Sequence, residues 1–283
     1  MHVLADIYVL DDGSTDGTEA AIASSGLSNY VIYERSESNQ GYSRAFVRAF
    51  ARVTTPFLMM STDDDFLVAS GIAEFVDHLH SAKHSALMST VFLLSDGTRY
   101  RGRTVTSAIA GSDIRQALNH APGLAYATNH ALTYLPIVEQ RLAQGCSMAA
   151  TYPQVLLGVL IAMNHRADWI PISTVRSGPN LASGIRDSSG LSYSSGKSRI
   201  SQIIDFDNFL QSTFQNAATR SAARFLWQVL GMHRNAALNN VLRAVSHEAP
   251  GLSVSLVTSA SLLPIKRPRF TLRAWMSRLR GRR

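Results

Sequence analysis

The chain has 283 residues, 46% of them hydrophobic and 17% charged, which excludes a disordered polymer and bounds it to one large domain or one domain with appendages. A single cysteine, Cys146, excludes an internal disulfide and fits a reducing, cytoplasmic setting. No apolar run reaches the ~18–20 residues of a membrane span, and residues 1–10 carry Asp6 and no cationic start, so no signal peptide is expected.

Residues 6–10 read as a buried strand. Asp16 and Glu19 have capping-box spacing for a short helix over 17–24, with Gly26 beyond its end. A second short strand spans 30–33. Ser38 or Asn39 caps a helix over about 41–53, with Ala45, Phe46, Ala49, Phe50 and Val53 on one face and Arg44, Arg48 and Arg52 on another. A third strand covers 56–60, an amphipathic helix 70–83, and a strand 86–94 ahead of an Asp96-Gly97 turn. Strands alternating with helices predict an α/β fold with a mostly parallel sheet flanked by helices. Further on, a buried helix is expected over 151–165 and a strand over 169–172. Residues 177–198 hold eight serines and four glycines, so a flexible Ser/Gly-rich loop is expected over about 176–200. A helical C-terminal region follows over 201–265, with two helices meeting near Gly231.

Two aspartate clusters stand where strands end. Asp11-Asp12-Gly13-Ser14-Thr15-Asp16-Gly17-Thr18 follows Ile7–Leu10, and Asp63-Asp64-Asp65 follows Phe57–Met60. Carboxylates at the C-terminal edge of an α/β sheet occupy the edge where such sheets bind ligands. Three adjacent carboxylates repel one another unless a cation or polar partner offsets them. A plain turn remains an alternative for the first cluster, and an exposed loop for the second. An EF-hand does not fit the first, which lacks the alternating ligand order.

The stretch Leu10–Thr18, then Asn39-x-Gly41 opening a helix, then Asp63–Asp65, resembles the GT-A nucleotide-sugar glycosyltransferases of family 2 in order, spacing and residue type. The likeness is specific over residues 6–70, loose to about 175 and absent beyond. It implies a GT-A (Rossmann-like) domain over 1–175 and transfer of a sugar from a nucleotide-sugar donor to a glycan or lipid-linked acceptor. Asp11 would accept a hydrogen bond from the base, helped by Asp12 or Ser14. Asn39 and the Gly41 amide suit an anion or sugar hydroxyl at a helix N-terminus. Asp63 and Asp65, with Asp64 beside them, would hold Mn2+ or Mg2+ against the donor diphosphate. Residues 125–134 and Tyr152-Pro153 resemble, more weakly, a bacterial branch acting on lipid-linked surface polysaccharides.

Two features of the family are not seen. Its usual first strand-helix unit, which precedes the Asp11 strand, is lacking, which would leave apolar surface and unpaired amides exposed. The carboxylate base of an inverting enzyme is also missing from its usual place, since no Asp or Glu lies between Glu139 and Asp168. Glu139 is the nearest candidate, with Asp113 and Asp168 behind it. A non-catalytic or truncated nucleotide-sugar-binding remnant is therefore a rival reading. A nucleotidyltransferase is a weaker one, because no Gly-rich basic loop follows the first strand.

The formal charge of +7 comes from the end of the chain. Residues 266–283 hold eight of the 27 basic residues and no acid, leaving 19 basic against 20 acidic residues elsewhere. Phe270, Leu272, Trp275, Met276 and Leu279 interleave with those arginines, which suits an amphipathic segment on an anionic membrane surface. Nucleic acid is not an expected partner, as no recognition motif accompanies the charge. His78, His80 and His84 read as solvated helix residues and Cys146 as inert.

Overall fold

The computed structural model describes residues 5–81, 85–178 and 196–248. In chain order the elements are β1 (Ile7–Asp11), α1 (Thr18–Ser24), β2 (Val31–Arg35), α2 (Tyr42–Arg52), β3 (Phe57–Met59), β4 (Asp65–Leu67), α3 (Ala69–Ser81), β5 (Leu87–Leu93), β6 (Arg99–Arg101) and β7 (Ser107–Ala108). Then follow α4 (Ile114–Leu118), β8 (Leu124–Ala127), α5 (Thr128–Ala143), α6 (Ser147–Thr151), α7 (Pro153–Asn164), β9 (Ala167–Ser177), α8 (Gly196–Gln215) and α9 (Arg220–Glu248).

Hydrophobic alternation explains the layering. Leu87 and Met88 in β5, Tyr126 and Ala125 in β8, and Trp169 and Ile170 in β9 point in turn to opposite faces of the sheet, as a pleated strand requires. On one face Leu87, Tyr126 and Trp169 join Phe46 and Phe50 of α2, Leu156, Leu157 and Leu160 of α7, and Phe209, Leu210, Leu226 and Val229 of α8 and α9. On the other face Met88, Ala125 and Ile170 pack with Phe75 of α3. The C-terminal helices thus share the main core of the α/β layer. Each fully buried Leu or Phe there contributes about 1.5–3 kcal/mol.

The α/β class stands, but the sheet is mixed rather than mostly parallel. Its strand order is β3-β8-β5-β9-β4, with β6 on β5 and β7 on β9. Strands β3, β5 and β9 run one way, while β8 and β4 run against them. The alternation of strands and helices misled because β4, β6 and β7 each follow the preceding strand with no helix between, and such short links do not make the crossover that a parallel neighbour needs.

Smaller features of the helices were also not foreseen. The helix expected over 151–165 is two, α6 and α7, because Pro153 starts a new helix at its first position, where a missing N–H costs nothing. Residues 128–143 form α5 despite Pro136 inside it. The last two helices meet at residues 216–219, and Gly231 lies within α9. Most of the Ser/Gly-rich loop (179–195), His84, and the basic tail lie outside the described residues.

Strands β1 and β2 form a separate parallel pair, Ile7 opposite Val31 through Asp11 opposite Arg35. This unit is thinly covered. Helix α1 buries no residue, and Ile7 and Ile32 are 47% and 48% exposed. Two strands alone are marginal in water, so the unit depends on α2 and on the polar ties of its carboxylates.

Candidate active site

Strand β1 ends in Asp11, whose side chain turns inward and is 1% exposed. Its Oδ1 accepts from the Ser14 amide (2.8 Å) and its Oδ2 from the Tyr33 hydroxyl (2.5 Å), with Arg35 Nε 3.6 Å away. Burial pushes the carboxyl up, but the Tyr33 and Ser14 hydrogen bonds and the Arg35 charge outweigh it and hold the pKa at about 2. The Tyr33 hydroxyl is pushed up to about 12 by burial and by Asp11. Asp11 is thus ionised and bonded within its own loop.

Asp12 points to α2. Its Oδ2 accepts from the amides of Gln40 (3.0 Å) and Gly41 (2.6 Å), and Asn39 Oδ1 also accepts from Gly41 (3.0 Å). Arg48 Nη2 lies 3.9 Å from Asp12 Oδ1. The helix N-terminus that the sequence offers to a ligand anion therefore already holds an anion from the chain itself. Gly13 makes this fit possible. Its φ is +82°, and a Cβ there would lie 2.7 Å from the Ser38 carbonyl carbon, so the loop presses directly on residues 38–39. Ser14 contributes backbone: its amide goes to Asp11, and its carbonyl accepts from Arg35 Nη2 (2.8 Å). Asp16 bonds the Thr18 amide and hydroxyl, so it holds the first residue of α1, but Gly17 takes the N-cap position and the expected Asp16–Glu19 capping box is not formed.

The second cluster has the opposite character. Asp63 and Asp64 are exposed. Asp65 opens β4 opposite Ser177 of β9, accepts from Thr62 Oγ1 (3.2 Å), and lies 3.4 Å from the Gly178 amide. That amide also donates to the Asp64 carbonyl (3.1 Å). Burial and the neighbouring Asp64 charge push the Asp65 carboxyl above its ordinary value. A cation would relieve that repulsion, and hard carboxylate oxygens suit Mg2+ or Mn2+. Among the described residues, however, no three His, Cys, Asp or Glu side chains gather into a metal cage. The run fits a divalent ion as a partial ligand set, to be completed by phosphate oxygens and water, as Mg2+ sites commonly are.

The run rests on a buried polar layer that the sequence reading missed. Arg101, 0% exposed, donates to the carbonyls of His120 (2.5 Å) and Thr90 (3.4 Å) and to that of Pro122. Thr90 Oγ1 bonds Thr174 Oγ1 and the Gly123 carbonyl. Met60, which leads into the acidic run, exchanges backbone bonds with Gly123 and Leu124 (2.9 Å each). Gly123 has φ +77°, and an added Cβ would lie 2.6 Å from Thr90 Oγ1. No sequence signal marks this layer, because a lone arginine in a short strand looks solvent-facing. Through the Gly123–Met60 bond the 119–123 loop lies beside the strand end that leads into the run.

No contact joins a base candidate to the run among the described residues. Asp168 sits at the start of β9, nine positions before Ser177, which is about 30 Å along a strand. It is bonded to Ser85 and to Arg166 Nε (2.5 Å). Asp113 pairs with Arg103 at 3.3 Å. Glu139 is exposed on α5 and makes no hydrogen bond or ion pair with the described residues. His78 stacks on Phe75, and the Cys146 thiol is pushed up by burial, as suits an inert group.

Known proteins share part of this sequence and its fold. Residues 3–134 match the model of glycosyl transferase family 2. No curated protein sequence matches the chain. Among solved structures, S. aureus TarS (residues 1–349, in complex with UDP) is similar with a TM-score of 0.55 at 15% identity, over 85% of this chain and 71% of that one. The mannosyltransferase PcManGT of Pyrobaculum calidifontis, solved with GDP-Man and Mn2+, is similar with a TM-score of 0.50 at 16% identity, over 94% of this chain and 73% of that one. Residues 3–134 are thus similar in sequence to glycosyl transferase family 2, and the α/β layering is the fold of these solved GT-A glycosyltransferases.

Proposed function

We propose that this protein transfers a glycosyl group from a nucleoside-diphosphate sugar to a hydroxyl of a glycan or lipid-linked acceptor, with inversion and with help from Mn2+ or Mg2+. The observation that carries the reading is the Asp63–Asp65 run at the sheet edge, with Asp63 and Asp64 exposed and Asp65 half-buried, and with no ion pair to a cation among the described residues. In the reaction the bond from the anomeric carbon to the diphosphate oxygen breaks and a bond to the acceptor oxygen forms. The acceptor proton leaves to a base, and the diphosphate departs with an added negative charge. Asp63 and Asp65 would hold the ion, which supplies charge stabilisation at that diphosphate. Asp64 stands beside them. Asp11 and Ser14 would border the nucleotide base. Their mutual bonds fix the loop, and a carboxylate oxygen keeps a second lone pair for a base N–H. Asp12, Asn39 and Gly41 hold the start of α2 in register with that loop.

The fold neighbours support a nucleotide donor, since TarS was solved with UDP and PcManGT with GDP-Man and Mn2+. A role in bacterial surface polysaccharide synthesis, at the cytoplasmic face of a membrane, accords with the basic residues 266–283. Among the described residues no helix is long and apolar enough to cross a membrane.

A second reading is a nucleotide-sugar-binding remnant without turnover. The observation favouring it is that neither Asp113 nor Asp168 is free at the acidic edge, while Glu139 stands alone on α5. Calorimetric titration of UDP, GDP, CDP and dTDP, with and without Mn2+, tests the donor site. Metal-dependent binding of one of them, lost in the Asp63→Asn/Asp65→Asn variant, supports it. No binding by the wild type defeats both readings. Turnover of the matching sugar nucleotide then separates the enzyme from the remnant.

A further inference from the structure

Near the acidic run stands an aromatic group to which the proposed function gives no part. Tyr100, at the centre of β6, is 44% exposed, and His120, on the loop before β8, is also exposed. Both rest on Phe92 of β5, which is buried. The His120 ring stacks on Phe92 with centroids 5.3 Å apart, and Tyr100 meets Phe92 edge-on at 5.9 Å. Tyr100 and His120 meet each other edge-on at 5.3 Å. Aromatic pairs at such separations and tilts are favourable and fix one another's orientation.

The scaffold below holds this group in place. Arg101, next to Tyr100 in the strand, is buried and spends its guanidinium on backbone carbonyls, His120's among them. A buried cation without a carboxylate is costly, and burial lowers its pKa to about 10. What that cost secures is the position of the 119–123 loop against Met60, and hence of His120 against the acidic run. Tyr100 meets His120, and the loop that carries His120 is bonded through Gly123 to Met60, which leads into the acidic run, so phenol and imidazole stand on the side of the fold that carries the carboxylates.

A pyranose ring presents an apolar face of axial C–H groups and a rim of hydroxyls. A firm aromatic surface suits the face, and imidazole, phenol and carboxylate suit the rim. We propose that Tyr100 and His120 form a saccharide-binding subsite that takes a pyranoside ring beside Asp64 and Asp65. The ligand class rests on the glycosyl-transfer reading. The ring belongs either to the donor's sugar or to the acceptor's terminal sugar.

The test uses the full chain and saturation-transfer NMR with methyl pyranosides of glucose, galactose, mannose and N-acetylglucosamine. In a parallel arm, UDP and UDP-glucose, and GDP and GDP-mannose, are titrated with Mn2+. Tyr100→Ala and His120→Leu should weaken pyranoside signals by roughly 2- to 10-fold, the range of an aromatic contact. Tyr100→Phe keeps the ring and should retain them, as should the remote control Tyr30→Ala. If the ring is the donor's, the same variants weaken the nucleotide sugar but not the free nucleotide, and the methyl pyranosides give no signal. Both patterns support the subsite. It is overturned if pyranosides and nucleotide sugars bind the wild type and Tyr100→Ala equally, or if neither binds a wild type that does bind free nucleotide. Tyr100-dependent pyranoside signals from a protein that binds no nucleotide would keep the subsite and remove the donor reading. Melting curves of the variants guard against loss of the fold, and the Phe92-covering Tyr100→Leu variant replaces Tyr100→Ala if that one unfolds.

Discussion

The two aspartate loops look alike in sequence and behave oppositely in the fold. In the first, Asp11 takes a backbone amide and a phenol, and Asp12 takes two amides at the start of α2. Their charges serve to fasten β1, β2 and α2 together, in a unit whose apolar cover is thin. In the second, Asp63 and Asp64 face solvent, and Asp65 is crowded by burial and by its neighbour. A carboxylate that is already bonded holds structure, whereas one that is held but unpaired has free energy available for a ligand. The difference gives the side chains of the first loop a scaffolding part, and it is why the second is the loop we propose to hold the metal ion.

The contrast breaks first at the second loop. Asp63→Asn/Asp65→Asn should lower kcat/KM for sugar-nucleotide turnover by roughly 10²–10³-fold, the usual scale for removing charge stabilisation at a leaving oxyanion. Its melting temperature should not fall, because the fold disfavours the Asp65 charge. A variant that kept activity, or that unfolded, would make the run structural and erase the distinction. Next in size is the layer below the run. Arg101→Met leaves the carbonyls of Thr90, His120 and Pro122 without their buried donor, at a cost of about 3 kcal/mol. Denaturant unfolding measures it, and a loss under 1 kcal/mol would mean that the loop is held by other means.

Asp12→Ala follows, with about 1–2 kcal/mol lost from the start of α2 and its pairing with Arg48. Hydrogen exchange at the amides of Gln40 and Gly41 should accelerate in that variant. Unchanged protection there would move Asp12 from the scaffold to the ligand-binding group, and the comparison would need redrawing.

How much of this was legible beforehand depended on the range of the interactions. The early strands, α1 and α2 were readable because their signals are local: apolar runs that stop in Asp-Gly turns, and Phe46 and Phe50 one turn apart. The aspartate motifs were readable for the same reason. What each aspartate does was not readable, because Tyr33 lies 22 positions from Asp11, Gln40 lies 28 from Asp12 and Gly178 lies 113 from Asp65. Strand β8 was hidden for a related reason. Leu124–Ala127 is buried on every side, so it shows neither alternation nor amphipathy, and without it the sheet read as parallel. Arg101 and His120 acquire their roles only when β6 and the 119–123 loop meet.

The smallest effect distinguishes the loops by acid. Asp11 has its carboxyl held at about 2 in the fold against 3.8 when free. A lowered carboxyl contributes stability that is complete above pH 3.8 and is lost as pH falls through about 2. Asp65 is shifted the other way, so its charge costs stability above its raised value, and acidification towards 3.8 relieves that cost. Tyr33→Phe isolates the first term. The phenol, with its pKa pushed up to about 12, stays a donor throughout the acid range, so its removal deletes the bond to Asp11 without adding a titration of its own. That variant should lose about 1 kcal/mol at neutral pH, and less below the Asp11 transition, where the wild type has lost the charged acceptor too. Melting temperatures of wild type and Tyr33→Phe, followed from pH 6 down to about 2, should therefore converge. Parallel curves would show that the hydroxyl acts through packing and that Asp11 is not the fastening that joins β1 to β2.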